Sequence, residues 1–318
     1  MLNFWDKLTK PIIALAPMAG VTDQSFRWLC KDFGADVIYT EFASSNGLIY
    51  QNKKTREMLK FSPAEQPVVC QIFGNNPEIF YKSASILQEM GFAGLDINFG
   101  CPSYKVVKNG GGVSLMRQPN LCAELVQAAC EGSSLPVSIK LRASIKNNNK
   151  DGQTITAVDV IKKMVALPIS AIMLHARSYE KPFDGELQME IFKQARQIWK
   201  KVLLFNGGIT TPENAQQIIT ETGADGLGIA RGSLGRPWLF AQIKSYLKTR
   251  TYKSYYWPDI KKIILCHAAL ALKHKGDYGL IELRKHLSWY IRGFPGASNL
   301  RSKLVQVKVL ADIKSILK

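Results

Sequence analysis

Apolar residues over the first three quarters of the chain fall in short, nearly unbroken runs: 12–18, 37–41, 68–73, 94–99, 137–142, 171–175, 202–206 and 226–231. Runs of this length without polar alternation predict strands covered on both faces, as in a parallel sheet. Helical stretches separate them. After the third run, Asn76-Pro77 supplies a cap and a first-turn proline, Ile79, Phe80, Ala84 and Leu87 form an apolar stripe, and Gly91 ends the helix. Thr211-Pro212 and Gly223 repeat the arrangement after the seventh run. Eightfold alternation predicts an α/β fold, a closed (β/α)8 TIM barrel, although the pattern alone leaves an open doubly wound sheet possible. From about Tyr246 the strands stop. A linker at Tyr255-Tyr256-Trp257-Pro258 leads into a helix with Ile263, Ala268, Leu270 and Leu272, a second helical stretch over 283–291, a glycine turn over 293–296, and a final helix over 300–317. The expected division is a catalytic barrel over 1–245 and a small helical domain over 246–318. Residues 146–150 read as a loop.

Composition narrows the class. With 318 residues and 46% hydrophobic content, the chain has material for a barrel of about 250 residues plus an appendage. The apolar run over 11–21 is too short and too broken by proline and glycine to span a bilayer, and the first ten residues lack a signal-peptide pattern. A cytoplasmic protein without membrane contact is expected. Six cysteines form no C-x-x-C pair and no cluster with the four histidines, so neither a metal site nor a disulfide framework is signalled. The net charge of +17 is concentrated at the end: residues 241–318 hold 16 Lys or Arg against four acids, a net of +12. Such a surface suits a polyanion, nucleic acid foremost, through counterion release. A lysine-rich solubilising surface is the alternative.

In a barrel of this kind the site is built at the carboxyl ends of the strands. Those positions hold Pro17-Met18, Glu41, Gln71, Asn98 with Cys101 beyond it, Lys140 and Arg142, His175 and Arg177, Asn206, and Arg231. This is more reactive chemistry than a solvated rim requires. The turns Asn206-Gly207-Gly208 and Ala230-Arg231-Gly232 follow the last two strands, where loops commonly bind phosphate through exposed backbone N–H groups. Cys101 stands between Gly100 and Pro102, just past the fourth strand. A thiol with a reference pKa near ~8.5 is protonated at neutral pH and suits a general acid, whereas most free cysteines only fill space. Lys105, Lys108 and three consecutive glycines follow, suited to a mobile loop that touches phosphate or, equally, to an ordinary flexible connection.

The segments APMAGVTDQSFR (16–27), TE (40–41), QIFG (71–74), DINFGCPSYKV (96–106), SIKLR (138–142), HARS (175–178), NGGI (206–209), ARGSLGRPW (230–238) and RKHLSWYIRGFPGASNLR (284–301) together resemble the bacterial tRNA-dihydrouridine synthases. The resemblance implies an enzyme that uses NADPH to reduce bound FMN, adds hydride to C6 of a tRNA uridine, and protonates C5 from a cysteine, here Cys101. It further implies that Pro17, Met18 and Ala19 line the flavin, that Gln71 and Lys140 meet its polar edge, and that Asn206, Gly207, Gly208, Ala230 and Arg231 hold its phosphate. His175 joins the cofactor group because Lys140 and Asn206 occupy neighbouring strand ends. Asn98, Arg142 and Arg177 are expected at the substrate, with Lys105, Lys108, Arg284, Lys285, Arg292 and Arg301 along the RNA. The family often has aspartate where Gly208 stands and glycine where Ala230 stands. tRNA is the expected partner, and a monomer the expected state. Two other readings remain open: an FMN oxidoreductase of a small pyrimidine or enone, similar to dihydroorotate or dihydropyrimidine dehydrogenases, and an RNA-binding factor with a vestigial site.

Overall fold

The computed structural model describes residues 3–147 and 152–318, so positions 148–150 of the expected 146–150 loop lie outside the described residues. Eight strands form the centre: β1 (Ile12–Leu15), β2 (Val37–Tyr39), β3 (Val68–Phe73), β4 (Gly94–Phe99), β5 (Val137–Arg142), β6 (Ile169–His175), β7 (Val202–Asn206) and β8 (Gly226–Ile229). Each pairs in parallel with the next, and β8 returns to β1 in the register Ile12↔Gly226 through Leu15↔Ile229. The ring is closed, which makes the fold a TIM barrel and excludes the open sheet.

Three strands end earlier than the apolar runs do, each for a local reason. β1 leaves the ladder at Pro17, which has no N–H to give. Past β2, the Thr40 hydroxyl accepts the Gln71 N–H, 3.1 Å. Beyond β8, Arg231–Ser233 winds into a 3-10 turn.

Strand parity sorts the side chains. Ile13 and Leu15 join Phe26 and Cys30 in the shell between strands and helices. Ile12 and Ala14 join Tyr39, Val69, Met173 and Leu204 inside the barrel, above Trp5. The outer face is apolar throughout, but the inner face turns polar toward the carboxyl ends, and β4 and β5 alternate, Leu95-Asp96-Ile97-Asn98 and Ile139-Lys140-Leu141-Arg142, against the expectation of strands without alternation.

The outer helices are α1 (Gln24–Asp32), α2 (Pro77–Glu89), α3 (Pro119–Gly132), α4 (Ala157–Met164), α5 (Met189–Ile198), α6 (Pro212–Thr222) and α7 (Leu239–Thr249). Asn76 and Thr211 cap α2 and α6 as expected, accepting the N–H groups of Ile79 and Asn214. The boundary expected at 245/246 falls inside α7, which ends at Arg250 in a left-handed conformation, φ 62°.

The tail begins with α8 (Trp257–Tyr290), which breaks at Gly276, φ 60° and ψ −154°. The single final helix expected over 300–317 is instead two, α9 (Ala297–Leu304) and α10 (Leu310–Ile316). The reason lies at the Val305, Val307 and Val309 positions. Val309 is extended, and the Arg284 guanidinium takes the Val307 carbonyl at 2.7 and 2.9 Å, replacing helical bonds. The tail packs through Ile264, Leu280, Leu287 and Ile313 onto Leu29 and Trp238 of the barrel side. No helix among the described residues is long and apolar enough to cross a membrane.

Candidate active site

Strand parity carries Gln71, Asp96, Asn98, Ser138, Lys140, Arg142, His175 and Asn206 onto the inner face, in the layers nearest the carboxyl ends. Above them opens a cavity of about 860 Å³. Its wall includes Pro17, Met18, Ala19, Gln71, Asn98, Cys101, Lys140, Arg142, His175, Asn206, Ala230 and Arg231, so most of the expected strand-end residues meet in one place. Phe42, Tyr179, Glu180, Pro182 and Phe183 also line it, and the strand-end reading missed them. Four of the five stand in the loop after β6. Tyr179 and Phe183, four and eight residues past the end of β6, were the available signal.

Cys101 lies 8% exposed at the cavity wall. Asn98 shapes its loop: the side-chain oxygen accepts the N–H groups of Gly100, 3.0 Å, and Cys101, 2.8 Å, while Nδ2 donates to Gln71 Oε1, 2.8 Å. Both ends of the Asn98 amide are therefore engaged in structure, which sets it apart from a free substrate contact. Gly112 closes the loop from the other side. Its φ is +61°, and a Cβ there would stand 2.8 Å from the Cys101 carbonyl oxygen. Burial raises the thiol above its ordinary value, partly offset by the Ser103 N–H and by Lys140 and Arg142. The thiol is neutral at physiological pH, as a proton donor requires.

Arg142 ties two loops together. Its Nε donates to the Gly100 carbonyl, 2.9 Å, and NH1 reaches His175 Nδ1, 3.2 Å, and the Ser178 carbonyl, 3.2 Å. A guanidinium only donates, so Nδ1 of His175 accepts and the imidazole proton sits on Nε2. Burial, then Lys140, Arg142, Arg177 and Arg231, hold His175 far below the usual imidazole range, and it is neutral. Burial also lowers Lys140 to about 8, with Arg142 adding to the effect and Asp96 opposing it. Lys140 thus remains mainly a cation at pH 7.

Gly207 and Gly208 form the turn beyond β7, with φ +119° and +70°. A Cβ on Gly207 would fall 3.5 Å from both Arg177 NH1 and His175 Nε2, and one on Gly208 would meet Leu187 at 2.8 Å. Asn206 donates to the Gly228 carbonyl, 2.6 Å, bracing β7 on β8. Arg177 donates to the Gly185 carbonyl, 2.7 Å, and Arg231 to that of Phe183. Leu187 packs on the glycine turn and Arg177 stands beside it; the cavity wall holds Asn206, Ala230 and Arg231 but neither glycine, and there Arg231 with the backbone beyond β8 could meet a phosphate.

The outer basic residues separate. Lys105 and Lys108 are exposed on a short helix, Tyr104–Lys108. Lys285 reaches from the tail toward Gly20, whose N–H binds Glu41 at the barrel rim. Arg292 is exposed and, with Arg231 and Arg236, lines a second cavity of about 500 Å³ between barrel and tail. Arg301 is half-buried on α9. Arg284 departs from expectation, because its guanidinium is committed to the carbonyls of Gln306 and Val307. It holds the tail together and is not an open RNA contact.

The family model described as "Dihydrouridine synthase" matches residues 14–318. The chain belongs to the dihydrouridine synthase family. Among dihydrouridine synthase relatives, tRNA-dihydrouridine synthase B of Pseudomonas aeruginosa is 34% identical over 293 residues, spanning 92% of this chain and 87% of that one. A probable tRNA-dihydrouridine synthase of Mycobacterium tuberculosis is 34% identical over 325 residues, 98% and 82% of the two chains. The dihydrouridine synthase barrel is also similar in fold to morphinone reductase in complex with tetrahydroNAD (TM-score 0.54, 11% identity, 80% of this chain and 92% of that one). The old yellow enzyme from Trypanosoma cruzi is comparable (TM-score 0.54, 12% identity, 78% and 91%). At these identities the solved structures speak to fold alone.

Proposed function

We propose that the chain reduces uridines in tRNA to 5,6-dihydrouridine, with FMN as its cofactor and NADPH as reductant. The observation that carries this reading is the neutral Cys101 thiol on the wall of a cavity that Lys140, Arg142, Asn206, Ala230 and Arg231 also line. Family membership supports it over the small-pyrimidine and vestigial alternatives. Bound FMN would supply the hydride that adds to C6, and NADPH would restore it.

The residues divide the remaining work. Pro17, Met18 and Ala19 would face the isoalloxazine, with Gln71 and Lys140 at its polar edge. Lys140, as a cation with no hydrogen-bond partner among the described residues, would favour negative charge on the reduced ring. The N–H groups of the 230–231 turn, with Arg231, would hold the phosphate. His175, neutral, would donate from Nε2. Cys101 would release its proton to C5, while Arg142 keeps the loop beneath it in place.

Residues 1–245 would then carry the chemistry, and the basic 246–318 segment, with Lys105, Lys108, Lys285, Arg292 and Arg301, would carry the RNA backbone. A cytoplasmic monomer fits this division. In the test, Cys101→Ala keeps the flavin absorbance but loses dihydrouridine formation by about 10²–10⁴-fold. Full activity in that variant overturns the proton-donor role.

A further inference from the structure

A run of side-chain hydrogen bonds crosses the inner barrel wall beneath the cavity and ends on the Cys101 loop. Ser138 Oγ donates to Asp96 Oδ1, 2.6 Å, and Gln71 Nε2 donates to Asp96 Oδ2, 2.6 Å. Gln71 Oε1 accepts from Asn98 Nδ2, and Asn98 Oδ1 accepts the N–H groups of Gly100 and Cys101. All three acids and amides are at least 95% buried: Asp96 0%, Gln71 0% and Asn98 5% exposed. Water cannot correct a wrongly oriented member.

The direction of this run is the same read from either end, since the Gly100 and Cys101 N–H groups only donate and the carboxylate opposite them only accepts. An ionised carboxylate only accepts, whereas each amide can be turned over to exchange its donor and acceptor. Asp96 therefore compels Gln71 to present Nε2 toward it and Oε1 toward Asn98. That in turn compels Asn98 to offer Nδ2 to Gln71 and Oδ1 to the loop. Asp96 makes no contact with the cavity, and the site described above does not use it.

We propose that Asp96 is a positioning residue for Cys101, holding in place through Gln71 and Asn98 the oxygen that the loop N–H groups meet. The proposal rests on the reading of Cys101 as proton donor. It has a consequence that a merely structural carboxylate lacks. With Asp96→Asn alone the run survives: the introduced NH₂ can donate to Ser138 Oγ, whose hydroxyl turns to the Leu95 carbonyl, while the amide oxygen keeps Gln71 Nε2. Asn98→Asp alone instead leaves Gln71 between two acceptors. Adding Asp96→Asn to Asn98→Asp satisfies every bond in the reversed direction, because the NH₂ introduced at position 96 can then face Gln71 Oε1 and Gln71 Nε2 the new carboxylate.

The experiment uses the FMN-loaded full chain and its two single variants and double variant. Hydrogen–deuterium exchange at Gly100 and Cys101 is read without tRNA, and kcat and KM for tRNA are read separately. Asn98→Asp should speed exchange at those two amides about tenfold or more and lower kcat by a similar factor, with KM for tRNA and flavin content unchanged. Asp96→Asn alone should leave exchange within about threefold of the parent, and added to Asn98→Asp it should return exchange to that range. Unchanged exchange in Asn98→Asp, or a double variant no better than Asn98→Asp, overturns the proposal. Altered exchange with full uridine reduction in Asn98→Asp overturns the positioning role. Full uridine reduction in Cys101→Ala, measured in parallel, overturns the reading beneath it.

Discussion

Arg142 supports the site in ways that its charge alone would not reveal. A lysine there could reach the Gly100 carbonyl or His175 Nδ1, but not span both as the planar guanidinium does. Arg142→Lys should therefore cost about 2 kcal/mol in thermal unfolding and slow dihydrouridine formation by about tenfold or more. Gly112→Ala strains a left-handed residue against the Cys101 carbonyl, so turnover should drop while flavin absorbance is retained. The Cys101 thiol, raised by burial, stays protonated to higher pH than an ordinary cysteine. The alkaline side of the rate profile should then show two steps, one near 8 as Lys140 loses its proton and a second above the ordinary thiol value of about 9 from Cys101, and a profile without the second step would sink the assignment. The strand-end residues were legible in the sequence because a parallel barrel repeats the same parity on every strand. Asp96 was read only as part of a motif, and the engagement of both ends of Asn98 was invisible, since hydrogen-bond direction depends on three strands together. The Tyr179–Phe183 wall was missed because its residues are far from any strand end along their own loop.

At the level of elements, cap chemistry predicted α2 and α6 closely: Asn76 and Thr211 leave little choice about where a helix starts. The 300–317 region misled because its apolar spacing suits a helix throughout, while the break depends on Arg284, more than twenty residues earlier. That arginine and Arg292 should behave oppositely. Arg284→Ala frees the 306–307 carbonyls and should lower stability by about 1–2 kcal/mol, leaving the salt dependence of tRNA affinity unchanged. Arg292→Ala should leave stability alone and reduce the slope of log affinity against log salt by about 1. Equal salt slopes in the two variants would refute the separation of bracing from RNA-facing cations.

Across the whole molecule, barrel and tail share a buried aromatic contact in which Phe26 of α1 meets His267 and His286 of α8, centroids 5.9 and 4.8 Å apart. Nothing in the apolar pattern of α1 announced a second partner, because Phe26 would be buried in a barrel alone. Burial lowers His267 to about 4, opposed by Asp23 and aided by Lys285, and its Nδ1 meets the Tyr290 hydroxyl at 3.0 Å. His286 is lowered further, by burial and by His267, with Asp23 opposing and Lys285 and Lys275 aiding. The unfolded chain takes these protons first. Stability therefore falls as pH drops below about 6.5, the His267 share, about 3 kcal/mol, being lost by about pH 4 and His286 and His175 carrying the fall further. Denaturation midpoints that stay flat over that window would contradict the linkage. The closed ring has a different consequence, one of timing. β1 and β2 emerge early from the ribosome, yet β1 finds its other neighbour only when Gly226–Ile229 has been made, some 214 residues after Ile12. At about 5–20 residues per second that is roughly 10–40 s, during which an apolar strand edge stands open. Since Ala230 and Arg231 complete the cavity only after that closure, a nascent chain has no cofactor site to fill, and flavin capture would mark the moment at which synthesis of the barrel is over.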